Sequence, residues 1–399
     1  LYTVYHGLNR PKTLLFEGSD PIGIEVQKTV WGYKRTDALG NVYFFRYRLI
    51  NKGGVDIGGG TNGAFYLDSL FLCQWSDIDL GNAGDDVAGC DSVLSLAYVY
   101  NGNPVDISYQ RFNLPPPASG YDFLGGPIVN APGDSGVYNF KRVYNKKNLG
   151  MSSFAYFSAG SIYTDPPFAD YDRGTGRWWA MLRGYAPVGT IADAQSPYNH
   201  PPGFAITKFP LSGDPVVSTT TGFVDGLGTT YSVNPGDRRI LLNTGPFRLA
   251  PADTQDVYMG FVVAIGGDRI TSVALMKAFD KACQETFDLV FQVAKPAKNP
   301  AIKVTELDGE VLLDWSWDQA TIKDTEGRIV IPGNYTFEGY NLYQFSNNGG
   351  ADPVKIATYD VVNGVKTVSD LVFDPVIGQF VLKPIQIGTD AGLTRFLSI

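Results

Sequence analysis

In Trp75-Ser-Asp-Ile-Asp-Leu-Gly-Asn-Ala-Gly-Asp-Asp-Val-Ala-Gly-Cys-Asp91, a dense set of carboxylates lies between two runs that are typical of buried strands. Carboxylates this close in sequence repel one another unless a positive charge lies among them. A hard cation such as Ca²⁺, which takes about six to eight oxygen ligands from a flexible loop, is the strongest local candidate. The candidate ligands are Asp77, Asp79, Asp85, Asp86 and Asp91.

The spacing of these carboxylates does not match an EF-hand. Asp77, Asp79 and Asp85 stand at ligand positions of that loop, but Gly81 and Ala88 stand where it needs oxygen ligands. Two interpretations therefore remain open. The loop either binds Ca²⁺ through a looser set of carboxylates and carbonyls, or its side chains are solvated and accept hydrogen bonds from backbone amides.

Composition places the chain among folded, turn-rich β proteins. Its 399 residues are 44% hydrophobic and only 18% charged, with 46 glycines and 25 prolines. The formal charge of −8 and the lack of a basic cluster argue against nucleic-acid binding. No apolar run approaches the roughly 18 to 20 residues of a membrane helix, so we expect no membrane insertion.

Hydrophobic patterning predicts strands nearly throughout. Residues 22–31 and 42–50 are rich in β-branched and aromatic residues, and Asp37–Asn41 reads as the turn between them. Residues 101–138 read mostly as irregular structure. Gly58–Gly63 matches G-x-G-x-x-G, but a strand-like run follows it instead of the helix that a dinucleotide site needs.

One long helix is predicted, over residues 268–293, and it closes the first of two domains, while residues 175–183 can form a short helix. Apolar residues recur along it at helical spacing, and Thr271 or Ser272 can cap it. We expect a large antiparallel β-sandwich-like domain over residues 1–294, a linker over 295–300 and a second β-sandwich over 301–399. In that second domain, Asp308-Gly309 is the turn of a hairpin spanning residues 302–317.

The second domain resembles a fibronectin type III module. The resemblance rests on Leu313 and Trp315 in the hairpin, followed by Gly339-Tyr-Asn-Leu-Tyr343. It implies an antiparallel sandwich of about 100 residues. The late Tyr-x-Tyr-x-Val strand of such modules is missing, so the module looks incomplete. Either further residues or a strand from a neighbouring chain would finish it.

Most of the chain is similar to a group of uncharacterised secreted β-rich proteins of Bacteroidota- and Ignavibacteria-type bacteria, which are type IX secretion substrates. Besides the acidic segment, the similarity rests on Gly213-Asp-Pro-Val and on Gly236-Asp-Arg-Arg followed by Asn243-Thr-Gly-Pro-Phe247. It implies export to the cell surface or the medium. It brings no established activity and no catalytic residues.

Two residue pairs have both a structural and a functional interpretation. Cys73 and Cys90 bracket the acidic segment and can form a disulfide in an oxidising compartment, although Cys73 reads equally well as a small core residue. Trp178 and Trp179 can stack on a sugar, although adjacent tryptophans more often anchor a core. The third cysteine, Cys283, lies on the predicted helix.

Catalytic chemistry finds little support in the sequence. The only histidines are His6 and His200, and no G-x-S-x-G or H-E-x-x-H motif is present. We therefore predict a secreted, non-enzymatic structural or adhesive protein at the cell surface, which self-associates into an oligomer or filament by strand addition. The alternative is a Ca²⁺-assisted module that binds cell-surface glycans, or an accessory domain of a secreted enzyme.

Overall fold

The structure is a computed structural model of the chain. It describes residues 1–6, 21–56, 59–167, 171–188, 196–198, 206–218, 223–226, 234–293, 297–327, 336–374 and 379–399. The fold is mostly β and consists of several antiparallel sheets, which confirms the predicted class. Gly58, Lys295, Pro296 and His200 lie outside the described residues.

The strands of the first part of the chain are β1 (Tyr2–His6), β2 (Ile24–Gly32), β3 (Val42–Asn51), β4 (Leu67–Asp77), β5 (Asp86–Asp91), β6 (Leu96–Asn101), β7 (Ala118–Gly125), β8 (Ile128–Tyr138), β9 (Lys141–Asn148), β10 (Ser153–Ser158), β11 (Arg238–Leu249) and β12 (Thr254–Ala264). The helices there are α1 (Ile107–Gln110), α2 (Tyr171–Leu182) and α3 (Arg269–Asp288). The later elements are β13 (Lys303–Leu307), β14 (Glu310–Asp314), α4 (Gln319–Glu326), β15 (Gly339–Gln344), β16 (Val354–Asp360), β17 (Thr367–Asp374), β18 (Gln379–Ile387) and β19 (Phe396–Ser398).

The chain divides into two compact units. The first contains the described residues of Leu1–Val290 together with Gln379, and the second contains those of Phe291–Asp374 and Phe380–Ile399.

The first unit is a β-sandwich-like structure. Its larger sheet has seven strands in the order β1-β2-β3-β12-β7-β6-β5, and its smaller sheet has the order β10-β11-β4. Side chains of both sheets form one core, with Val99, Phe123 and Met259 from the larger sheet and Phe154 and Leu241 from the smaller. Helix α2 packs on the smaller sheet, and α3 packs on β7 and β12 of the larger.

The predicted irregular segment over residues 101–138 is wrong, because it contains all of β7 and β8. β7 lies between β6 and β12, inside the seven-stranded sheet, and all but one of its residues are buried. A strand that is buried on both faces lacks the polar–apolar alternation by which strands are recognised. Prolines at 115–117 and 127 on either side further masked it.

Helix α3 confirms the predicted helix, but the predicted cap, Thr271 or Ser272, is wrong. Asp268 is the N-cap, and its carboxylate accepts hydrogen bonds from the N–H groups of Ile270 and Thr271. The Thr271 hydroxyl in turn accepts a hydrogen bond from the N–H of Asp268, which completes a capping box. The helix ends at Asp288, a few residues before the predicted end.

The second unit consists of small sheets. β13, β14 and β19 form one antiparallel sheet, β15 pairs with β16, and β17 pairs with β18. Gly309 at the β13–β14 turn has φ +80°, the left-handed conformation that glycine adopts most easily, so the predicted hairpin is confirmed. Trp315 is buried and its ring packs against Tyr340 and Tyr359.

Candidate functional site

The fold separates the five carboxylates of the acidic segment. Trp75–Asp77 is the end of β4, whereas Asp86–Asp91 forms β5 at the far edge of the other sheet. Between them, the Asn82 side chain caps a short 3₁₀ turn over Ala83–Asp85 by accepting from the Gly84 N–H. The group of carboxylates that this structure brings together is therefore not the predicted set of five, and metal binding itself stays a prediction.

Two of the five meet a carboxylate from elsewhere. Asp77, Asp79 and Asp237 place carboxylate oxygens within 4.8 Å of one another, and they form the one such group in the part of the chain described here. Burial raises the pKa of Asp77, and Asp237 and Asp79 raise it further, while Arg239 opposes the shift. Arg239 lies 3.3 Å from Asp77 and 2.8 Å from Asp237.

We call Asp77, Asp79 and Asp237 the rim cluster. Its carboxylates suit a hard cation, but the positively charged Arg239 side chain already lies beside them. Three carboxylates and one guanidinium leave a formal charge of −2. The donors are oxygens, which suit Ca²⁺. Arg239 already offsets part of the repulsion that a cation would relieve. Asp237 was not among the predicted ligands, although it stands in the Gly236-Asp-Arg-Arg motif.

Asp85 and Asp86 are buried and act as hydrogen-bond acceptors. Asp85 accepts from the side-chain amides of Asn101 and Asn103 at 3.2 and 3.1 Å. Asp86 accepts from the Leu80 N–H at 3.1 Å, and burial, together with the nearby Asp85, Asp79 and Asp106, raises its pKa to about 7. The bond from Leu80 to Asp86 is of the backbone-amide kind that the sequence analysis left open, whereas Asp85 is bonded by side-chain amides.

Asp106 completes this buried network, although it lies outside the acidic segment and was not among the predicted site residues. Its carboxylate accepts from the Asn82 N–H at 2.9 Å and the Ser108 N–H at 2.6 Å. Burial raises its pKa, but these hydrogen bonds, with one from Asn101, outweigh burial and lower the pKa overall. A Cβ at Gly81, whose φ is +78°, would lie 2.6 Å from the Asp106 oxygens, so glycine is required there.

Asp91 belongs to a different group of charges. It lies 3.0 Å from the ammonium of Lys277 on α3, which also lies 2.9 Å from Asp214. Burial raises the pKa of Asp91, but Lys277 and the N–H groups of Leu94 and Val93 outweigh that and lower it. Asp91 is therefore an ion-pair partner of the helix, away from the rim cluster.

The predicted Cys73–Cys90 disulfide is wrong for this structure. Cys73 lies on β4 and Cys90 on β5, which belong to different sheets, and both thiols are free. Burial raises the pKa of both thiols. Each packs in the core of the first unit as a small apolar residue.

The two tryptophans do not form one stacking surface. Trp178 packs against the core, with its ring edge-on to Phe157. Trp179 is 39% exposed, edge-on to Phe71, and the Arg183 guanidinium lies over its ring. Neighbouring residues on a helix point about 100° apart, which explains the split.

The two edges of the seven-stranded sheet differ. At the β5 edge, the Ala88 N–H donates to Asp225 and the Cys90 N–H donates to the Leu211 carbonyl. Arg238, wholly buried, holds Asp225 in place at 2.8 Å. The outer edge of β1 pairs with no described strand, and β1 exposes Tyr2, Val4 and Tyr5.

The second unit carries most of its large apolar side chains on its surface. Its fully buried hydrophobic residues, among those described, are Trp315, Ile322 and Leu342. The exposed ones include Val304, Trp317, Phe345, Val354, Val362, Leu382, Ile385, Ile387 and Phe396. Large exposed apolar side chains can form sites of contact with other molecules where they lie together in a patch.

No protein-family model matches the chain, and a search of curated proteins finds no similar sequence. Within the described residues, no helix is long and apolar enough to cross a membrane.

Proposed function

We propose that the chain is a structural subunit of an extracellular assembly, in which copies contact one another through the second unit and through open strand edges. The observation that carries the proposal is the apolar surface of the second unit. About 100 residues there bury few side chains and expose many. A small unit with so little core gains much of its stability from what covers it.

The sheet edges offer a route for that contact. β13 and β19 are the outer strands of their sheet, and the two-stranded sheets have outer edges throughout. An outer strand presents unpaired N–H and C=O groups that another chain can join. We propose the second unit as a fibronectin type III-like sandwich that a strand of a neighbouring copy completes.

The first unit also has an open strand edge, which is the outer side of β1. Leu1 and Val30 exchange both of their backbone hydrogen bonds, so Thr3 and Tyr5 also bond to β2. The N–H groups of Tyr2, Val4 and His6 therefore point to the open edge. The contrast with β5, whose edge is covered by Asp225 and Leu211, supports β1 as the edge that takes part in assembly.

Export to the cell surface and type IX secretion remain part of the proposal and rest on the sequence resemblance. A glycan-binding module is the second candidate. It keeps one exposed aromatic, Trp179, and the rim cluster as a cation site. Because Trp178 packs in the core, this candidate has less support than assembly.

The test is the mass of the purified chain as a function of concentration, by light scattering after size exclusion, together with negative-stain microscopy. We expect a rise in mass and ordered particles. Ile385→Lys with Ile387→Lys places charge on exposed apolar positions of β18 and should abolish the rise. Val217→Lys, at an exposed apolar position of the first unit, is the control.

Val4→Pro tests the β1 edge separately. It removes an outward N–H without removing a bond to β2, so unfolding should be unchanged while assembly weakens. Thr3→Pro removes a bond to β2 and should instead destabilise the strand. A monodisperse monomer at high concentration, with the same mass for all variants, would overturn the proposal.

A further inference from the structure

A cavity of about 380 Å³ lies beside helix α3 in the first unit. Its walls come from the turn between β5 and β6, the end of β7, the segment after β9 and one side of α3. Leu94, Phe123, Leu124 and Leu149 make much of the wall apolar, and Asp280 and Gln284 add polar groups. The cavity is independent of the apolar surfaces used in the proposed assembly.

A pair of buried carboxyl groups stands at one side of this cavity. Asp280, which lines it, is 1% exposed, and Asp122 behind it on β7 is fully buried. The two carboxyl groups lie close enough for each to influence the pKa of the other. None of their carboxylate oxygens accepts a hydrogen bond from an N–H or O–H group of the described residues.

Among the described residues, no positively charged side chain forms a salt bridge with either carboxyl group of the pair. Lys277, one turn before Asp280 on α3, is engaged by Asp91 and Asp214. Lys281, whose side chain is exposed, and Glu285 both line the cavity and carry opposite charges, and the Cys283 thiol is buried nearby. Burial raises the pKa of Asp280 to about 8 and that of Asp122 well above its usual range. The pair thus keeps protons at neutral pH.

We propose that this cavity binds a protonated amine carried on a small apolar body, with the ammonium held by Asp280 in place of a proton of the Asp122–Asp280 pair. The volume is more than ten times the roughly 30 Å³ of one water molecule, so it suits an organic group. The apolar wall accommodates the body of the ligand. A bare divalent cation needs about six to eight oxygens, and the leucine and phenylalanine wall does not supply them.

Two sources share this chemistry, a free alkylamine and a lysine side chain of another protein chain. The probes are n-butylamine, which is protonated at neutral pH, and Nα-acetyl-lysine N-methylamide, with n-butanol as the uncharged comparison. Binding to the full chain is measured by isothermal titration calorimetry. Binding of both ammonium probes supports a free amine as the ligand, and binding of the lysine probe alone supports a protein lysine.

Two substitutions separate the roles of the carboxyls. Asp280→Asn removes the charge but keeps a polar contact to Asp122, so the fold should hold and affinity should fall at least tenfold. Asp122→Asn leaves Asp280 with an amide donor, so affinity should be kept or rise. Asp134→Asn, at an exposed position of β8, is the charge-matched control and should change nothing.

The proton that the ligand displaces gives an independent readout. Between pH 6 and pH 8, the affinity for n-butylammonium should rise by up to about tenfold per pH unit if one proton is released. In Asp280→Asn, that rise should disappear. Equal affinity for n-butanol and n-butylamine, a pH-independent affinity, or unchanged binding by Asp280→Asn would each overturn the proposal.

Discussion

Replacement of Asp225 by asparagine should destabilise the first unit more than most single substitutions can. Asp225 and Arg238 form an ion pair in which neither side chain is exposed. The carboxylate accepts from Nε of Arg238 at 2.8 Å, from its Nη2 at 3.2 Å and from the Ala88 N–H at 2.8 Å. Asparagine keeps the shape but leaves the guanidinium buried without its counter-charge.

The magnitude follows from that uncompensated charge. Removal of one partner of a buried ion pair costs about 3–5 kcal/mol, because the remaining ion has lost both water and its partner. Ser158 and the Asn234 carbonyl still accept from Arg238, which keeps the cost from rising further. At about 2 °C per kcal/mol for a unit of this size, the unfolding midpoint should fall by about 6–10 °C.

The assay is urea and thermal unfolding followed by tryptophan fluorescence. Trp315→Phe with Trp317→Phe as the background confines the signal to the first unit. Asp68→Asn is the matched control, because Asp68 pairs with Arg248 at 3.5 Å with both side chains largely exposed, and an exposed pair contributes at most about 1 kcal/mol. If Asp225→Asn and Asp68→Asn unfold within about 0.5 kcal/mol of each other, the reasoning about this pair is refuted.

Three further predictions concern the carboxylates and the tryptophans. Ca²⁺ at about 100 times its Kd should stabilise the first unit by about 2.7 kcal/mol relative to chelator, and Asp79→Asn should remove the difference; equal thermal midpoints with and without Ca²⁺ would contradict a cation at the rim cluster. Because burial raises the pKa of Asp86 to about 7 and of Asp280 to about 8, the folded chain holds protons that the unfolded chain releases above about pH 4. The stability that each group contributes is therefore complete below about pH 4 and falls by up to about 1.4 kcal/mol per pH unit until the folded pKa is passed. The free energy of urea unfolding should therefore depend less on pH between pH 5 and pH 8 in Asp280→Asn than in the parent chain. The same pH dependence in both proteins would contradict the raised pKa of Asp280. Trp178→Ala should cost about 3 kcal/mol by thermal unfolding and Trp179→Ala about 1 kcal/mol, because only Trp178 packs against the core, and equal losses would contradict that difference.

Local signals account for the parts of the fold that the sequence predicts. The β13–β14 hairpin follows from Asp308-Gly309, whose turn chemistry acts over a few residues. The β2–β3 hairpin has a 3₁₀ turn at Ala38–Asn41, capped by Asp37, where the composition indicates a turn. Helix α3 follows from its apolar spacing. In each case the interacting residues are neighbours in sequence, so the local sequence pattern is enough to predict the element.

The site was harder to predict because its partners meet only in the folded chain. Asp237 joins Asp77 through the pairing of β11 with β4, and Lys277 reaches Asp91 from a helix on another part of the chain. The carboxylates of the acidic segment are close in sequence, but in the fold they accept hydrogen bonds or form ion pairs at several different places. The closeness of these carboxylates in sequence indicates that they repel one another, but it does not show which hydrogen-bond donor or cation each of them meets in the fold.

The same contrast bears on assembly. The first unit closes its β5 edge with buried groups that would be costly to leave unpaired, notably Asp225 and Arg238. Among its described residues, the second unit has no fully buried ion pair of this kind at a sheet edge, and it exposes large apolar residues such as Trp317 and Leu382. If that unit is covered by another copy, mass action couples its stability to protein concentration, and more strongly than that of the first unit, which has a core of its own. A chain built from one self-sufficient unit and one that depends on a partner is suited to a repeating assembly, because the stable unit keeps its shape while the other forms the joint.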